Sequence, residues 1–358
     1  MSMIFAYVGC YTTPDRDGRG QGISVYQVDP ASGSWTRGRL AAATANPSFL
    51  AVAPGGRHLY CVHGGDTFSQ VSAFAIDRRT GDLRFLNAQP SGGRNPAHLA
   101  VDPTGRMLAV ANYTEGTVAG LPLTPDGSLG PPTAINRLSG APGPHPVEQT
   151  RAHPHHCPFD PAGHFVVVPD KGLDRLFIYR ADPGRATLSP HDPPAVAARP
   201  GAGPRHVAFH PRASYAYVVN ELDATIAVYG YDAEQGALQP GQLVSTLPPE
   251  ATGANTGAEI AVAPSGRFLY ASNRGHDSIA VFAIEPETGA LDPVGWTTTG
   301  GRTPRFLTLD RPGHLLYVAN QDSDTIVPFR VDPHDGTLTP TGEVITTGSP
   351  VCIVFVGA

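Results

Sequence analysis

Residues 203–240 read GPRHVAFHPRASYAYVVNELDATIAVYGYDAEQGALQP, and they decide the fold because the chain writes the same pattern repeatedly. From Asn95 it runs NPAHLAVDPTGRMLAVANYTEGTVAGLPLTPDGSLGP, and from Thr303 TPRFLTLDRPGHLLYVANQDSDTIVPFRVDPHDGTLTP. Each copy predicts a short apolar strand, a Pro/Gly turn, and a β-branched and aromatic strand ending near Asn. A loop, a third strand such as TIAVY, and a closing hairpin of the form D-x-x-x-G-x-L follow. Related copies start at Asn46, His153 and Gly257. A repeat of roughly fifty residues with four strands is the size of one propeller blade.

The two ends supply the seventh copy. FAYVGCYT, residues 5–12, matches the second strand of the other copies, and SPVCIVFVGA, residues 349–358, matches the first strand that the N-terminal copy lacks. The expectation is an all-β, seven-bladed β-propeller, a single domain over residues 1–358, with its ring closed by residues 350–356 joining the N-terminal blade. Such closure removes an open sheet edge. The predicted blades are 3–40 with 350–356, then 46–92, 95–133, 152–192, 203–244, 256–296 and 303–345. Residues 139–150 and 193–203 are Pro/Gly/Ala-rich connections between blades.

Composition agrees. The 358 residues include 41 Gly and 37 Pro and are only 16% charged, which suits many short strands better than helices. A net charge of −6 without a basic block gives no electrostatic case for nucleic acid or an anionic membrane. The opening MSMIFAYVGCYT has neither a charged n-region nor a long apolar run, so a cytoplasmic location is expected. Cys10, Cys61, Cys157 and Cys352 stand singly, as reduced thiols would. A monomer or weak homo-oligomer is expected.

Chemistry is sought where superposed blades face one channel mouth: at the entry to each inner strand and the exit from each second strand. The entries are Ser48/Phe49, Ala97/His98, His155/His156, Arg205/His206, Ala258/Glu259, Arg305/Phe306 and Val351/Cys352. The exits are Cys10/Tyr11, His63/Gly64, Asn112/Tyr113, Asp170/Lys171, Asn220/Glu221, Asn273/Arg274 and Asn320/Gln321. The recurring Asn reads as architectural, bonding local backbone, whereas Lys, Glu, Arg and Gln beside it have no such duty. The stretch HPHHCPFDPAGHFVVVPDKGLD, residues 153–174, reads as a hairpin about an Asp-Pro-Ala-Gly turn. It would bring His153, His155 and His156 to the same rim as Asp170 and Lys171, the single lysine of the sequence. The spacing of His153 and His155 would also suit a metal completed by Glu221 or Asp170. Flanking arginines oppose that, and no metal or other cofactor is expected.

The strings YVGCYT, HPHHCPFDPAGHFVVVPDKGLDRLFIY, GPRHVAFHPRASYAYVVNEL and SNRGHDSIAVF resemble the bacterial 6-phosphogluconolactonase family of seven-bladed propellers, related to the fungal carboxy-muconate lactonizing enzyme. The resemblance covers essentially the whole chain. It implies a metal-independent site in the channel mouth built from His155 with His153 beside it, Arg205, Glu221 and Arg274, positions the blade comparison also selects. The family usually carries an apolar residue where Lys171 stands, which suggests a further anionic group on the substrate.

The expected function is hydrolysis of an anionic sugar-acid lactone, 6-phosphogluconolactone or a relative. Glu221 or His155 would be the base, and Arg205 and Arg274 the stabilisers of the oxyanion. His153, Lys171, His206, Arg305 and Gln321 would hold the substrate. Two alternatives stay open: lactonisation of a muconate-type diacid at the same site, and a non-catalytic interaction platform.

Overall fold

A computed structural model of the chain describes residues 3–29 and 32–357. Met1, Ser2, Pro30, Ala31 and Ala358, which fall within the predicted domain, lie outside the described residues. Seven antiparallel sheets follow one another in chain order. In blade one, Pro350–Val356 pairs with Ile4–Cys10, with Phe5 opposite Val356 and Gly9 opposite Cys352, so the ring closes as expected. Ile23–Val28 and Trp35–Ala42 complete that blade. Blade five shows the regular unit: Pro204–Phe209, Tyr215–Asn220, Thr225–Asp232 and Ala237–Ser245. No described helix is long and apolar enough to cross a membrane.

The turns form for the reasons their sequences give. Asp102, Asp160 and Asp310 each accept two backbone N–H groups at 2.6–3.0 Å through Oδ1, from residues four and five positions on. Gly105, Gly163 and Gly313 take the left-handed conformation those turns require. In the second strands Tyr7, Tyr60, Tyr217, Tyr270 and Tyr317 are fully buried. Three of them also tie blades together, since Tyr7, Tyr60 and Tyr270 donate to the carbonyls of Gly81, Gly127 and Gly336 in the next closing hairpin at 2.9–3.1 Å. The recurring Asn is architectural: Asn112, Asn273 and Asn320 donate to carbonyls of the preceding connection, those of Ser91, Thr246 and Thr299.

Two boundaries differ most from expectation. The outer strand of blade three is Ala134–Arg137, just past the predicted end, because the turn near Gly127 supplies only the isolated Leu123–Leu129 bridge. The outer strand of blade four is Thr187–Ala197, reaching into the predicted connection. The larger correction concerns the hairpin at 153–174. Its second strand forms as Phe165–Asp170, but its first survives only as two isolated bridges, Pro154–Asp170 and Phe159–Val166, leaving a three-stranded sheet. Pro158 and Pro169 face this ladder without N–H donors, so the regular pairing of blade five cannot form.

Candidate active site

A cavity of about 180 Å³ opens where the inner strands converge, and all seven blades line it. At each second-strand exit the second residue of the pair is the one that faces in: Tyr11, Gly64, Tyr113, Lys171, Glu221 and Arg274. Gln321 is the exception and does not line the cavity. It begins a 3-10 turn, Gln321–Ser323, and its side-chain amide donates to Asp322 Oδ1 at 3.2 Å. His153 is likewise outside: its ring stacks on Tyr113 at 4.4 Å between centroids and its Nδ1 lies 3.1 Å from the Tyr113 carbonyl oxygen. The expected shared face with His155 is not formed, since His155 lines the cavity and His153 does not.

Glu221 is the electrostatic centre. Its Oε1 lies 3.1 Å from Lys171 Nζ, and its Oε2 lies 3.1 Å from Arg205 Nε and 3.3 Å from Arg274 Nη2. Burial alone would raise its pKa, but Arg274, Lys171 and Arg205 outweigh burial and hold the carboxyl well below its ordinary range. Arg205 also donates through Nη1 to the Ala258 carbonyl, and Arg274 through Nη2 to that of Gly257 at 2.8 Å. Lys171 is shared with Glu148 at 2.6 Å, in the connection that passes over the rim. The ammonium is therefore held by two carboxylates and stays charged despite burial.

His155 is buried and lines the cavity. Burial first, and Arg205 second, hold its pKa well below the ordinary value, so the ring is neutral at neutral pH. Its Nδ1 lies 3.2 Å from His206 Nε2, and His206 Nδ1 lies 2.7 Å from Glu259 Oε1. Both nitrogens of His206 are thus engaged, which removes it from the set of substrate hydrogen-bonders expected from sequence. His156 stacks on His206 at 4.1 Å and accepts the Val207 N–H through Nδ1. Among the described residues no group of three or more His, Cys, Asp or Glu could hold a metal ion.

Across the mouth the pattern changes. Arg305 and Arg16 both lie beside the Tyr11 ring, at 5.5 and 5.4 Å from its centroid. Neither has a carboxylate partner among the described residues; Arg16 reaches only Asn95 Oδ1, at 3.4 Å. Sequence reasoning found Arg305 but missed Arg16, which sits in a loop of the N-terminal copy with no counterpart in the repeat. Glu259 was visible at an inner-strand entry, but nothing in the sequence distinguished a buried partner of His206 from a framework acid.

Similarity to known proteins converges with this geometry. A 6-phosphogluconolactonase of Bacillus subtilis strain 168 is 37% identical over 305 residues, 85% of this chain and 84% of its own. Another from Formosa agariphila is 33% identical over 308 residues, 84% of each chain. The structure of a periplasmic gluconolactonase from Pseudomonas aeruginosa superposes with a TM-score of 0.92 at 32% identity, over 99% of both chains. These relatives favour hydrolysis over muconate-type lactonisation and over a non-catalytic platform. With the family described as "Lactonase, 7-bladed beta-propeller" matching residues 5–355, the chain belongs to that lactonase family.

Proposed function

We propose that this lactonase hydrolyses a phosphorylated sugar-acid lactone of the 6-phosphogluconolactone type, with His155 as general base. The observation that carries the substrate is the charge of the cavity. Five cationic side chains, Arg16, Lys171, Arg205, Arg274 and Arg305, line it against one carboxylate, Glu221, and the carboxyl of Glu259, whose pKa burial pushes up to about 8. Glu221 occupies Lys171, Arg205 and Arg274, whereas Arg16 and Arg305 face the opening without a carboxylate. A phosphate seated between them would meet two guanidinium forks suited to it.

The lactone carbonyl then lies toward blades four to six. His155 takes a proton from water as its oxygen bonds the carbonyl carbon, and Arg205 with Arg274 stabilises the oxyanion. As the ring C–O bond breaks, the proton passes to the departing oxygen. Glu221 is ill-suited to be the base, because three cations share its two oxygens; it fixes the arginines. Four buried cysteines without disulfides suit the cytoplasm.

The test is a pair of substrates. Arg305→Met and Arg16→Met should each raise KM for 6-phosphogluconolactone about 10-fold, with kcat little changed and with gluconolactone hydrolysis unaffected. Wild-type enzyme that treats both lactones alike would overturn the phosphate assignment.

A further inference from the structure

Behind His155 lies a line of groups that lactone binding does not require. His155 Nδ1, His206 Nε2, His206 Nδ1 and Glu259 Oε1 follow one another at 3.2 and 2.7 Å, running from the cavity into the wall formed by blades five and six. His206 and Glu259 are 2% and 6% exposed, so the line is buried and meets the cavity only at its wall. We infer that His206 and Glu259 are positioning residues, which hold His155 in the tautomer with its proton on Nδ1 and its lone pair on Nε2 facing the substrate. This inference rests on His155 being the base.

The direction of the line follows from hydrogen bonding. Glu259 Oε1 accepts the backbone N–H of Ile260 at 3.1 Å; the relay has it accept from His206 as well, with the proton that the buried carboxyl keeps, its pKa pushed up to about 8, on the unpartnered Oε2. His206 therefore carries its proton on Nδ1. Its neutral ring then has a lone pair on Nε2, which can only accept, and the donor at 3.2 Å must be His155 Nδ1–H. That leaves His155 Nε2, which has no partner among the described residues, as the acceptor presented to water. The reverse order would put a proton on Nε2 and make His155 an acid in the first step.

Stacking fixes the line in place. The His156 ring lies 4.1 Å from that of His206 at an interplanar angle of 10°, and Phe49 meets His206 edge-on at 6.2 Å. His156 is itself held by the Val207 N–H on its Nδ1, so His206 cannot turn without disturbing the inner strand of its own blade. During attack His155 Nε2 gains the proton of water, and the positive charge on the imidazole is stabilised through Nδ1–H toward His206 and Glu259. When the lactone C–O bond breaks the same proton leaves Nε2 for the departing oxygen, and the starting tautomer returns. A base oriented by a hydrogen-bonded partner that is held in turn by a carboxyl group is the logic of hydrolytic triads, here lengthened by one imidazole.

Nitrogen-15 NMR of the histidines in the whole protein reads the tautomers directly. Both His155 and His206 should show protonated Nδ1 and unprotonated Nε2 at neutral pH; a wild-type His155 protonated on Nε2 overturns the relay. His206→Phe should lower kcat by about 10²-fold with KM within about two-fold, and His206→Gln, whose carbonyl can accept from His155 Nδ1–H, should recover part of the loss. Glu259→Leu should shift His206 toward the Nε2–H form. Equal kcat for the Phe and Gln variants, or unchanged tautomers in Glu259→Leu, would also overturn it. Failure of the base assignment looks different: His155→Asn would keep turnover whatever the tautomers are.

Discussion

Blades four and five are neighbours built from the same repeat, and they carry most of the site in opposite ways. In blade five the ladder runs from Pro204–Asn220 to Phe209–Ala216 with one bulge, which presents Arg205, while Glu221 directly follows the second strand. In blade four Pro158 and Pro169 leave only two isolated bridges of the corresponding ladder, yet backbone bonds still hold His155 and Lys171, the one at Lys171 matching that of Glu221 N to the Gly203 carbonyl in blade five. His155 N donates to the Pro169 carbonyl, Lys171 N to that of His153, and Gln149 Nε2 to that of Lys171, at 2.8–3.0 Å. Asp174 joins the blades by accepting the N–H groups of Gly201 and Gly203. An inner strand reduced to isolated bridges is thus still held, by the backbone bonds that remain and by the Gln149 amide. Blade five supplies fixed charge in Arg205 and Glu221, and blade four supplies His155, the proposed base.

The hardest test of that division exchanges the two candidates for base. His155→Asn removes the imidazole and should lower kcat by about 10²–10⁴-fold, the range for losing a general base. Glu221→Gln should also lower kcat, by about 10²-fold, because Arg205 and Arg274 lose their common anchor. Its melting temperature should fall as well, since three buried cations lose a partner. If Glu221→Gln instead cost more turnover than His155→Asn while melting as wild type, Glu221 would be the base and the division would be reversed.

Arg205 occupies in blade five the place that His155 occupies in blade four, which makes Arg205→Lys the next discriminating change. Lysine keeps the charge but cannot contact Glu221 and the Ala258 carbonyl through one planar fork. A loss of about 10–10²-fold in kcat with a small change in KM is expected. Full activity in the lysine variant would mean that charge alone suffices.

This contrast also marks what the sequence could reveal. The repeat specified the blades, the ring closure and the exit positions, because alternating apolar residues and proline-containing turns are local signals that recur from copy to copy. The same alignment brought His155, Arg205, Glu221 and Arg274 to one mouth. The reading of side chains failed at His153, which stands before the inner-strand proline and stacks on Tyr113 outside the cavity, and at Gln321, where a 3-10 turn begins. It also could not tell an anion-binding cation from one already paired. Lys171 and Arg305 looked equivalent, yet Lys171 sits between Glu221 and Glu148 whereas Arg305 meets only an aromatic face.

Lys171→Met tests that last distinction across the boundary between the two blades. Lys171 is 3% exposed and bridges a buried and an exposed carboxylate. Its loss should destabilise the fold by less than the roughly 3–5 kcal/mol of a fully broken buried pair, because Arg205 and Arg274 still hold Glu221. Thermal melting should register the change for the free enzyme. An effect confined to KM for the phosphorylated lactone would instead make Lys171 a contact to the substrate's anionic tail.

The smallest expected effect comes from Asp170, which stands in blade four where Asn220 stands in blade five. Its Oδ1 accepts the Leu173 N–H at 2.8 Å, while its buried Oδ2 has no partner. Burial pushes its pKa up to about 7, against about 4 in an unfolded chain. Between those values the native state keeps a proton that the unfolded chain has released, so this residue lowers stability as pH rises from about 4 to about 7. Asn cannot ionise, and Asp170→Asn should remove that slope. The gain will be partial, because Asn220 has a Thr225 hydroxyl to receive its amide, whereas Arg175 occupies the equivalent place in blade four. A net stabilisation of about 1 kcal/mol above pH 7, vanishing below pH 4, is therefore expected. Melting curves of both proteins across that range decide the matter, and parallel pH dependences would show that Asp170 is ionised in the native state at neutral pH, as an ordinary carboxylate would be.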